Sequence, residues 1–322
     1  MRFLRGLLVL IAILAIVVAG LIAAFRDPDI PAAMLNAKYG QGASQFVTLP
    51  SGANAHYRDQ GQDVGPVIVL LHGSNSSLHT WEPWVVELAD QFRIVTVDLP
   101  GHGLTGPVPG DDYSQAGMVR FVDEFATAMK LSTFALGGNS MGGGVAARYA
   151  IEPPQRLTHL ILVDAGGMPT KIERDPGVGF RLARMPIAQN LMLYVTPRRI
   201  FEENLKTAIG DDTLVTAEMV DLYWELNRRE GNRAASLKRF QTAPDTFVQD
   251  NAAKIAAPTL ILWGELDTLT PPDMGEAYAK AIGGSRLIVY NNVGHMPMEE
   301  VAETSAQAVR EFMTPTVTTA PR

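Results

Sequence analysis

Short apolar runs alternate with amphipathic segments along most of this chain. Runs such as Val67–Leu71, Ile94–Val97 and Leu160–Val163 are apolar at consecutive positions and rich in branched side chains, as strands buried on both faces require. Between the strands, apolar residues recur at helical spacing, for example over residues 113–129. This alternation predicts an α/β fold in which helices cover both faces of a mostly parallel sheet.

Two segments depart from this pattern. Residues 45–49 and 53–58 alternate between apolar and polar positions around the turn Pro50-Ser51-Gly52, which predicts an antiparallel hairpin at the sheet edge. Residues 168–248 contain few strand signals and several helix-like pieces, around 178–193, 198–209 and 217–227. We interpret residues 168–248, called the cap below, as a helical insertion over the carboxyl ends of the strands. The predicted core then comprises residues 45–167 and 249–322.

The amino terminus carries a different signal. No charged residue occurs from Leu7 to Ala24, and a helix of about twenty residues spans about 30 Å, the thickness of a bilayer core. Arg2 and Arg5 precede this run, which predicts a cytoplasmic amino terminus and a translocated domain. We expect residues 1–25 to form a transmembrane anchor that holds the catalytic domain on the extracytoplasmic side, with residues 26–44 as a linker. A cleaved signal peptide, which would give a secreted protein, is the alternative.

Composition and charge narrow the possible functions. The 322 residues carry a net charge of −7 without a Lys/Arg cluster, which argues against a nucleic-acid partner. The absence of cysteine excludes disulfides and a thiolate nucleophile. The histidines lack metal-type spacing, and the glycine-rich loop 98–103 lacks a phosphate-binding motif, so we expect neither a metal nor another cofactor. The sequence leaves the oligomeric state open.

One short motif indicates catalytic chemistry. The segment Gly138-Asn139-Ser140-Met141-Gly142 lies between a predicted strand and a predicted helix, which is the pattern of a nucleophile elbow. Glycines on both sides of Ser140 allow the strand and helix to approach closely. The backbone N–H of Met141 would then donate to an oxyanion, and Ser74, in the loop after strand 67–71, is the best candidate for the second donor.

A serine hydroxyl becomes an effective nucleophile when a neighbouring base takes its proton and a third group orients that base. His295 directly follows the last predicted strand, and Asp267 follows the strand before it. Both residues are therefore expected at the same sheet edge as Ser140, in one of the chain orders known for such triads. Glu265 and Asp164 remain alternative candidates for the orienting acid.

These motifs together resemble the α/β-hydrolase superfamily over residues 45–313. The resemblance rests on His72-Gly73, residues 98–103, residues 138–143, Gly264-x-x-Asp267 and Gly294-His295. It implies an α/β-hydrolase fold with an eight-stranded sheet, a helical cap and a catalytic triad of Ser140, Asp267 and His295 that needs no cofactor. Epoxide hydrolases and haloalkane dehalogenases resemble this layout but carry aspartate at the elbow, so Ser140 argues against both activities.

We predict a serine esterase or lipase, because a membrane anchor and an apolar cap favour a small lipophilic ester as substrate. The segment Gly-Asn-Ser-Met-Gly-Gly at residues 138–143 also resembles carbon–carbon bond hydrolases that act on ring-cleavage products of aromatics. Cofactor-free haloperoxidases share the same triad and are a further alternative. A non-enzymatic binding protein on a hydrolase scaffold would predict a broken triad or a blocked elbow, and the sequence shows neither.

Overall fold

The structure is a computed structural model that describes residues 26–152, 154–173, 175, 177–183, 185, 190–243 and 245–314, together with the isolated positions 5, 6, 9, 13 and 20. The predicted membrane segment, residues 1–25, therefore lies almost entirely outside the described residues. In the part of the chain that is described, no helix combines the length and the apolar character needed to cross a bilayer. The membrane anchor stays a prediction.

Among the described residues, eight strands form one sheet in the order β1-β2-β4-β3-β5-β6-β7-β8. β2 pairs antiparallel with β1 and with β4, and all other neighbouring strands are parallel. The strands are Ser44–Thr48 (β1), Asn54–Gly61 (β2), Val67–Leu71 (β3), Arg93–Val97 (β4), Phe134–Asn139 (β5), Leu157–Val163 (β6), Thr259–Gly264 (β7) and Arg286–Tyr290 (β8). The predicted eight-stranded, mostly parallel sheet is confirmed.

Helices cover both faces of this sheet, because successive side chains of each buried strand point to opposite sides. Ile68 and Leu70 of β3 belong to one apolar cluster, whereas Val69 and Leu71 belong to another. The first cluster includes residues of α2 and α12, and the second includes residues of α3, α4 and α10. The bounds of these helices are Glu82–Leu88 (α2), Gln115–Ala128 (α3), Met141–Ile151 (α4), Pro272–Ala281 (α10) and Ala302–Met313 (α12). A short helix, Pro297–Glu300 (α11), directly precedes α12.

The cap is helical wherever the structure describes an element in it. Its helices are Val178–Ala183 (α5), Arg198–Ala208 (α6), Ala217–Asn227 (α7), Asn232–Gln241 (α8) and Phe247–Asn251 (α9). α6 and α7 coincide with two of the pieces expected from the sequence, and α7 begins at Thr216, whose hydroxyl accepts from the N–H of Met219. The third expected piece, 178–193, begins with α5, and several of its later residues lie outside the described part of the chain.

The segment expected to be a linker packs against the cap. It contains a helix, Ala32–Tyr39 (α1), and Leu35 of this helix is buried in a small cluster with Leu226 of α7. The N–H of Asp27 donates to the carbonyl of Tyr194 at 2.9 Å. The chain that leaves the predicted anchor is therefore attached to the cap from its first described residues onward.

Candidate active site

The turn at Ser140 joins β5 to α4 in a strained backbone conformation. Ser140 has φ 53° and ψ −115°, a region that costs free energy for any residue with a side chain. A Cβ added at Gly138 would lie 2.3 Å from the carbonyl oxygen of Gly142, so the turn requires glycine there. The N–H of Ser140 donates to Val163 at 3.0 Å, and its carbonyl accepts from Gly166 at 2.8 Å. These bonds hold the strained turn against β6 and the loop that follows it.

The imidazole of His295 is oriented by a buried carboxylate. Its Nδ1 lies 2.7 Å from Oδ2 of Asp267, so Nδ1–H donates to the carboxylate and Nε2 is left to act as a base. The backbone of His295 is fixed independently, because its N–H donates to Ala208 at 2.6 Å and its carbonyl accepts from the Asn139 side chain at 3.0 Å. The cap helix α6 and the elbow itself therefore both hold the histidine.

Asp267 is fully buried and accepts several hydrogen bonds. Its Oδ1 accepts from the N–H groups of Leu269 at 2.7 Å and Thr270 at 3.0 Å, and its Oδ2 accepts from the Thr270 hydroxyl at 2.6 Å. Burial by itself would raise the pKa of Asp267, but the His295 imidazole and these donors lower it below the usual range. The carboxylate is therefore charged at neutral pH, as an orienting acid must be.

The two alternative acids have different surroundings. Asp164 is also buried, and its Oδ1 accepts from the N–H of Gly264 at 2.9 Å. Burial, together with the negative charge of Asp267, raises the pKa of Asp164 well above its ordinary value, so Asp164 is the more readily protonated of the two acids. Glu265 is exposed and accepts from the backbone of Asn292. The structure thus brings His295 into contact with Asp267 as its charged partner.

The loop after β3 lies against the elbow. A Cβ added at Gly73 would lie 3.3 Å from the Cβ of Ser140, so the next residue, Ser74, follows directly beside the nucleophile turn. The Ser74 hydroxyl accepts from Nη2 of Arg239 on α8. His72 has a different environment, since it donates to the carbonyl of Gly73 and accepts from the N–H of Leu99. These bonds give His72 a structural position within the loop.

Ser140 and His295 open into one cavity between the sheet edge and the cap. Ser74 and Asn139 also line this cavity. Its remaining wall is mostly apolar and comes from the cap, with Met192, Leu193, Ile200, Phe201, Leu237 and Phe240 among the lining residues. The cavity therefore suits a substrate with an apolar portion next to the bond that is attacked.

A polar network connects the cap to the core on one side of this cavity. Tyr223 of α7 lines the cavity, and its hydroxyl donates to Oε1 of Glu299 at 2.9 Å. The hydroxyl of Thr80 donates to the same oxygen at 2.5 Å. Burial raises the pKa of Glu299 to about 7, although both donors act in the opposite direction. The cap is thus held by a carboxyl group whose charge changes near neutral pH.

Asp164, Asp267 and His295 each present one potential metal-ligand atom, and these atoms lie within 4.8 Å of one another. Their hydrogen bonds suit a proton-transfer site better than a cation site. A cation between Asp267 and His295 would displace the 2.7 Å hydrogen bond between them. Asp164, with its raised pKa, is a poor ligand because metal ions bind the deprotonated form.

Sequence reasoning missed several residues that hold the predicted triad. Asn139 contacts His295 and Thr270 contacts Asp267 directly. Asn139 lies inside the elbow motif and Thr270 follows Asp267 by three residues, and this proximity was the available signal. Ala208 and Arg239 come from the cap, and no local pattern connects them with the elbow.

Comparison with known proteins agrees with this geometry. The family model for the alpha/beta hydrolase fold matches residues 66–301. The chain is 27% identical over 282 residues to an uncharacterized protein of Mycobacterium tuberculosis, covering 84% of this chain and 80% of that protein. It is 29% identical over 272 residues to 2-hydroxy-6-oxo-6-phenylhexa-2,4-dienoate hydrolase of Comamonas testosteroni, covering 80% and 90% respectively.

Among solved structures, the chain resembles a membrane phospholipase A that is described as a bacterial virulence factor. The TM-score is 0.68 at 25% sequence identity, and the likeness covers 97% of each chain. The family match spans most of the core and the whole cap. The protein is therefore a member of the alpha/beta hydrolase fold family and a hydrolase.

Proposed function

We propose that this protein is a serine hydrolase that cleaves carboxylic esters of lipophilic molecules. The observation that carries this proposal is the shared cavity of Ser140 and His295, with the imidazole already oriented by the buried Asp267. Two further groups complete the proposed site, namely the backbone N–H groups of Ser74 and Met141, which would bind the oxyanion. This arrangement supplies the nucleophile, base, orienting acid and anion donors that acyl transfer needs.

In the first half-reaction, Nε2 of His295 takes the proton of the Ser140 hydroxyl as its oxygen attacks the ester carbonyl. The carbonyl π electrons move to oxygen, where the two N–H groups stabilise the negative charge. Asp267 stabilises the imidazolium without taking a proton from it. When the tetrahedral intermediate collapses, the bond to the alcohol breaks and His295 protonates the departing oxygen, which leaves an acyl group on Ser140.

In the second half-reaction, water replaces the alcohol. Nε2 of His295 removes a proton from the water as it attacks the acyl carbonyl, and the oxyanion forms in the same place. Collapse breaks the bond to Ser140, and the imidazolium returns its proton to the serine oxygen. A carboxylic acid leaves and the starting enzyme is restored.

The apolar cap wall supports a lipophilic substrate. Most of the cavity wall opposite Ser140 consists of aliphatic and aromatic side chains of the cap, which would favour an acyl chain over a polar group. The likeness to a membrane phospholipase A over 97% of both chains supports the same substrate class. It also supports our proposal that residues 1–25 anchor the enzyme to a membrane. The proposed extracytoplasmic side rests on Arg2 and Arg5, which precede the apolar run.

A carbon–carbon bond hydrolase is the second candidate. It is favoured by the similarity to 2-hydroxy-6-oxo-6-phenylhexa-2,4-dienoate hydrolase, whose substrate carries a carboxylate. Among the described residues that line the cavity, Arg233 is the one with a guanidinium group. That group is already bonded to the carboxylate of Asp29, the carbonyl of Asp27 and the hydroxyl of Thr196. Arg233 is therefore engaged within the protein and is a poor partner for that carboxylate.

A substrate panel separates the two candidates. Wild-type protein and Ser140→Ala would be assayed with p-nitrophenyl esters of increasing chain length and with a vinylogous 1,5-diketone. We expect the wild type to hydrolyse the esters, with higher kcat/KM for longer acyl chains, and Ser140→Ala to be inactive. A fluorophosphonate probe should label the wild type at Ser140. Turnover of the diketone without ester turnover would contradict the esterase proposal, and undiminished ester turnover by Ser140→Ala would contradict the mechanism.

A further inference from the structure

Arg239 places a partly buried positive charge next to the proposed oxyanion loop. It lies near the end of α8 in the cap, and its guanidinium stacks on Phe240 at 4.2 Å from the ring centroid. Its Nη2 donates to the hydroxyl of Ser74, which lines the cavity beside Ser140. A residue of the cap therefore contacts, through its charged end, the loop that would supply an oxyanion donor.

Arg239 differs from the other basic residues of α8 in having no acidic partner. Arg233 is paired with Asp29 and Lys238 with Asp111, whereas Arg239 forms no ion pair with any described carboxylate. Its Nε is buried and has no hydrogen-bond acceptor among the described residues. Burial lowers the pKa of Arg239 to about 10, so the group still carries its charge at neutral pH. None of the described carboxylates compensates this partly buried charge, which is costly for the folded protein.

The imidazole nearest to this loop adds no negative charge. Burial lowers the pKa of His102, the positive charges of His72 and Arg239 lower it further, and its Nε2 is buried without a partner among the described residues. The ring of His102 lies 5.2 Å from that of His72. A neutral imidazole does not compensate the guanidinium. The buried carboxylate of Asp98 also acts on His102, but it is itself bonded to His56 at 2.7 Å.

We propose that Arg239 is a positioning residue of the oxyanion site, which holds the Ser74 loop in place and provides positive potential for the charge that develops during acyl transfer. The inference rests on the proposed function, because it concerns the same tetrahedral intermediate. The guanidinium stays protonated throughout and exchanges no proton with the substrate.

The effect of Arg239 depends on the stage of the reaction at which negative charge appears on the substrate. The ester carbonyl is neutral in the bound substrate and becomes an oxyanion after attack by Ser140. The positive charge of Arg239 behind the donor loop therefore stabilises the transition state more than it stabilises the bound substrate. Interactions of this kind raise kcat with little effect on KM. Since Arg239 belongs to α8, the cap would take part in catalysis as well as in substrate binding.

The test compares Arg239→Gln with Lys238→Gln, which removes the same charge from the adjacent position on the same helix but from an exposed side chain. We expect Arg239→Gln to lower kcat about tenfold or more, which is a smaller fall than removal of a direct oxyanion donor causes. KM should change less than about twofold. The affinity for a boronic acid that forms a tetrahedral adduct at Ser140 should fall by the same factor as kcat. Lys238→Gln should match the wild type in all three measurements.

Two further variants separate charge and positioning from a folding defect. Arg239→Lys keeps the charge and should recover a large part of the lost kcat. Ser74→Ala keeps the backbone N–H and removes the acceptor of Arg239, so it should lower kcat, and its effect should be smaller when Arg239 is already Gln. The thermal unfolding midpoint of each variant shows whether the fold is intact.

The inference would be overturned if Arg239→Gln had the kcat of the wild type. It would also be overturned if kcat and the affinity for the boronic acid changed independently in this variant. If Arg239→Gln does not fold, a Ser74→Ala protein with unchanged kcat overturns it instead. Failure of the proposed function looks different, since the wild type and Ser140→Ala would then show the same ester turnover. Equal activity of Arg239→Gln and Lys238→Gln beside an inactive Ser140→Ala rejects the role of Arg239 alone.

Discussion

Replacing Asp267 by asparagine tests the central claim that a charged carboxylate orients His295. The substitution keeps the shape of the side chain and leaves one oxygen to accept from Leu269 and Thr270. The new amide group would face Nδ1 of His295, which now donates to Oδ2 at 2.7 Å. A donor in that place favours the other imidazole tautomer, in which Nε2 carries a proton and is no longer a base.

The size of the effect follows from the geometry. Opposite charges 2.7 Å apart attract by about 6 kcal/mol at an effective dielectric constant of about 20. Each step of about 1.4 kcal/mol changes a rate tenfold, so losing this attraction in the transition state should lower kcat by about 10⁴-fold. KM should change little, because the substrate does not touch Asp267.

Asp164 offers a matched control for this experiment. It is a second buried carboxyl group at the same sheet edge, and burial together with the charge of Asp267 raises its pKa. Asp164→Asn leaves the bond between Asp267 and His295 in place, and its oxygen can still accept from Gly264. We expect Asp164→Asn to change kcat less than about tenfold. Steady-state hydrolysis of a p-nitrophenyl ester and the rate of labelling by a fluorophosphonate would measure both variants.

Two results would refute this reasoning. An Asp267→Asn protein that keeps kcat within about tenfold of the wild type would show that the carboxylate charge is unimportant. An Asp164→Asn protein as inactive as Asp267→Asn would show that the two acids share the charge. Far-ultraviolet circular dichroism of both variants would establish that the fold is retained in each comparison.

Three further predictions concern stability. Gly142→Ala should lower the free energy of unfolding by about 2–3 kcal/mol, since its Cβ would lie 2.4 Å from the Leu71 carbonyl oxygen; an unchanged denaturant midpoint would contradict this. Burial raises the pKa of Glu299 to about 7, so its carboxyl group binds a proton more readily in the folded protein than in the unfolded chain. The free energy of unfolding should therefore fall as pH rises from about 5 to 7. Glu299→Gln should flatten that fall, and an unaltered pH profile would refute the assignment. Arg233→Met should release the amino-terminal segment by removing its bond to Asp29. We expect limited proteolysis before α1 to be faster than in the wild type. Equal cleavage rates would show that the ion pair is dispensable.

The connection between the cap and the catalytic residues has a consequence for substrate entry. His295 is bonded to the end of α6 through Ala208, and Ser74 is bonded to α8 through Arg239. Both the proposed base and the proposed oxyanion loop are therefore held by cap helices. A cap movement large enough to admit a bulky lipid would disturb both contacts, so we expect the competent geometry to depend on the closed cap.

The local features of the fold could be predicted from the sequence. The strands, the elbow and the helices α6 and α7 each depend on residues close together in the chain, so apolar spacing and glycine positions reveal them. The chain positions of Ser140, Asp267 and His295 could be predicted in the same way, because parallel strands end at one sheet edge. The family resemblance added the number of strands.

Two of the helices that escaped prediction, α8 and α1, did so for an identifiable reason. The buried face of α8 includes Asn232, Arg233 and Ser236, and a helix that buries polar side chains has no apolar stripe to detect. The one buried residue of α1 is Leu35, so its sequence looks like a linker. Both elements are stabilised by contacts with distant parts of the chain instead of by their own pattern.

By itself, the sequence of this protein determined the order of strands and helices, the strained turn at Ser140 and the sheet edge at which its partners would lie. The tertiary structure decided which acid contacts His295, why the pKa of Asp164 is raised and that of Asp267 lowered, and that Arg239 reaches Ser74, 165 residues away. The physical reason is that hydrogen bonds and burial depend on distances in space. Packing of the cap against the core sets those distances, and no local sequence pattern records them.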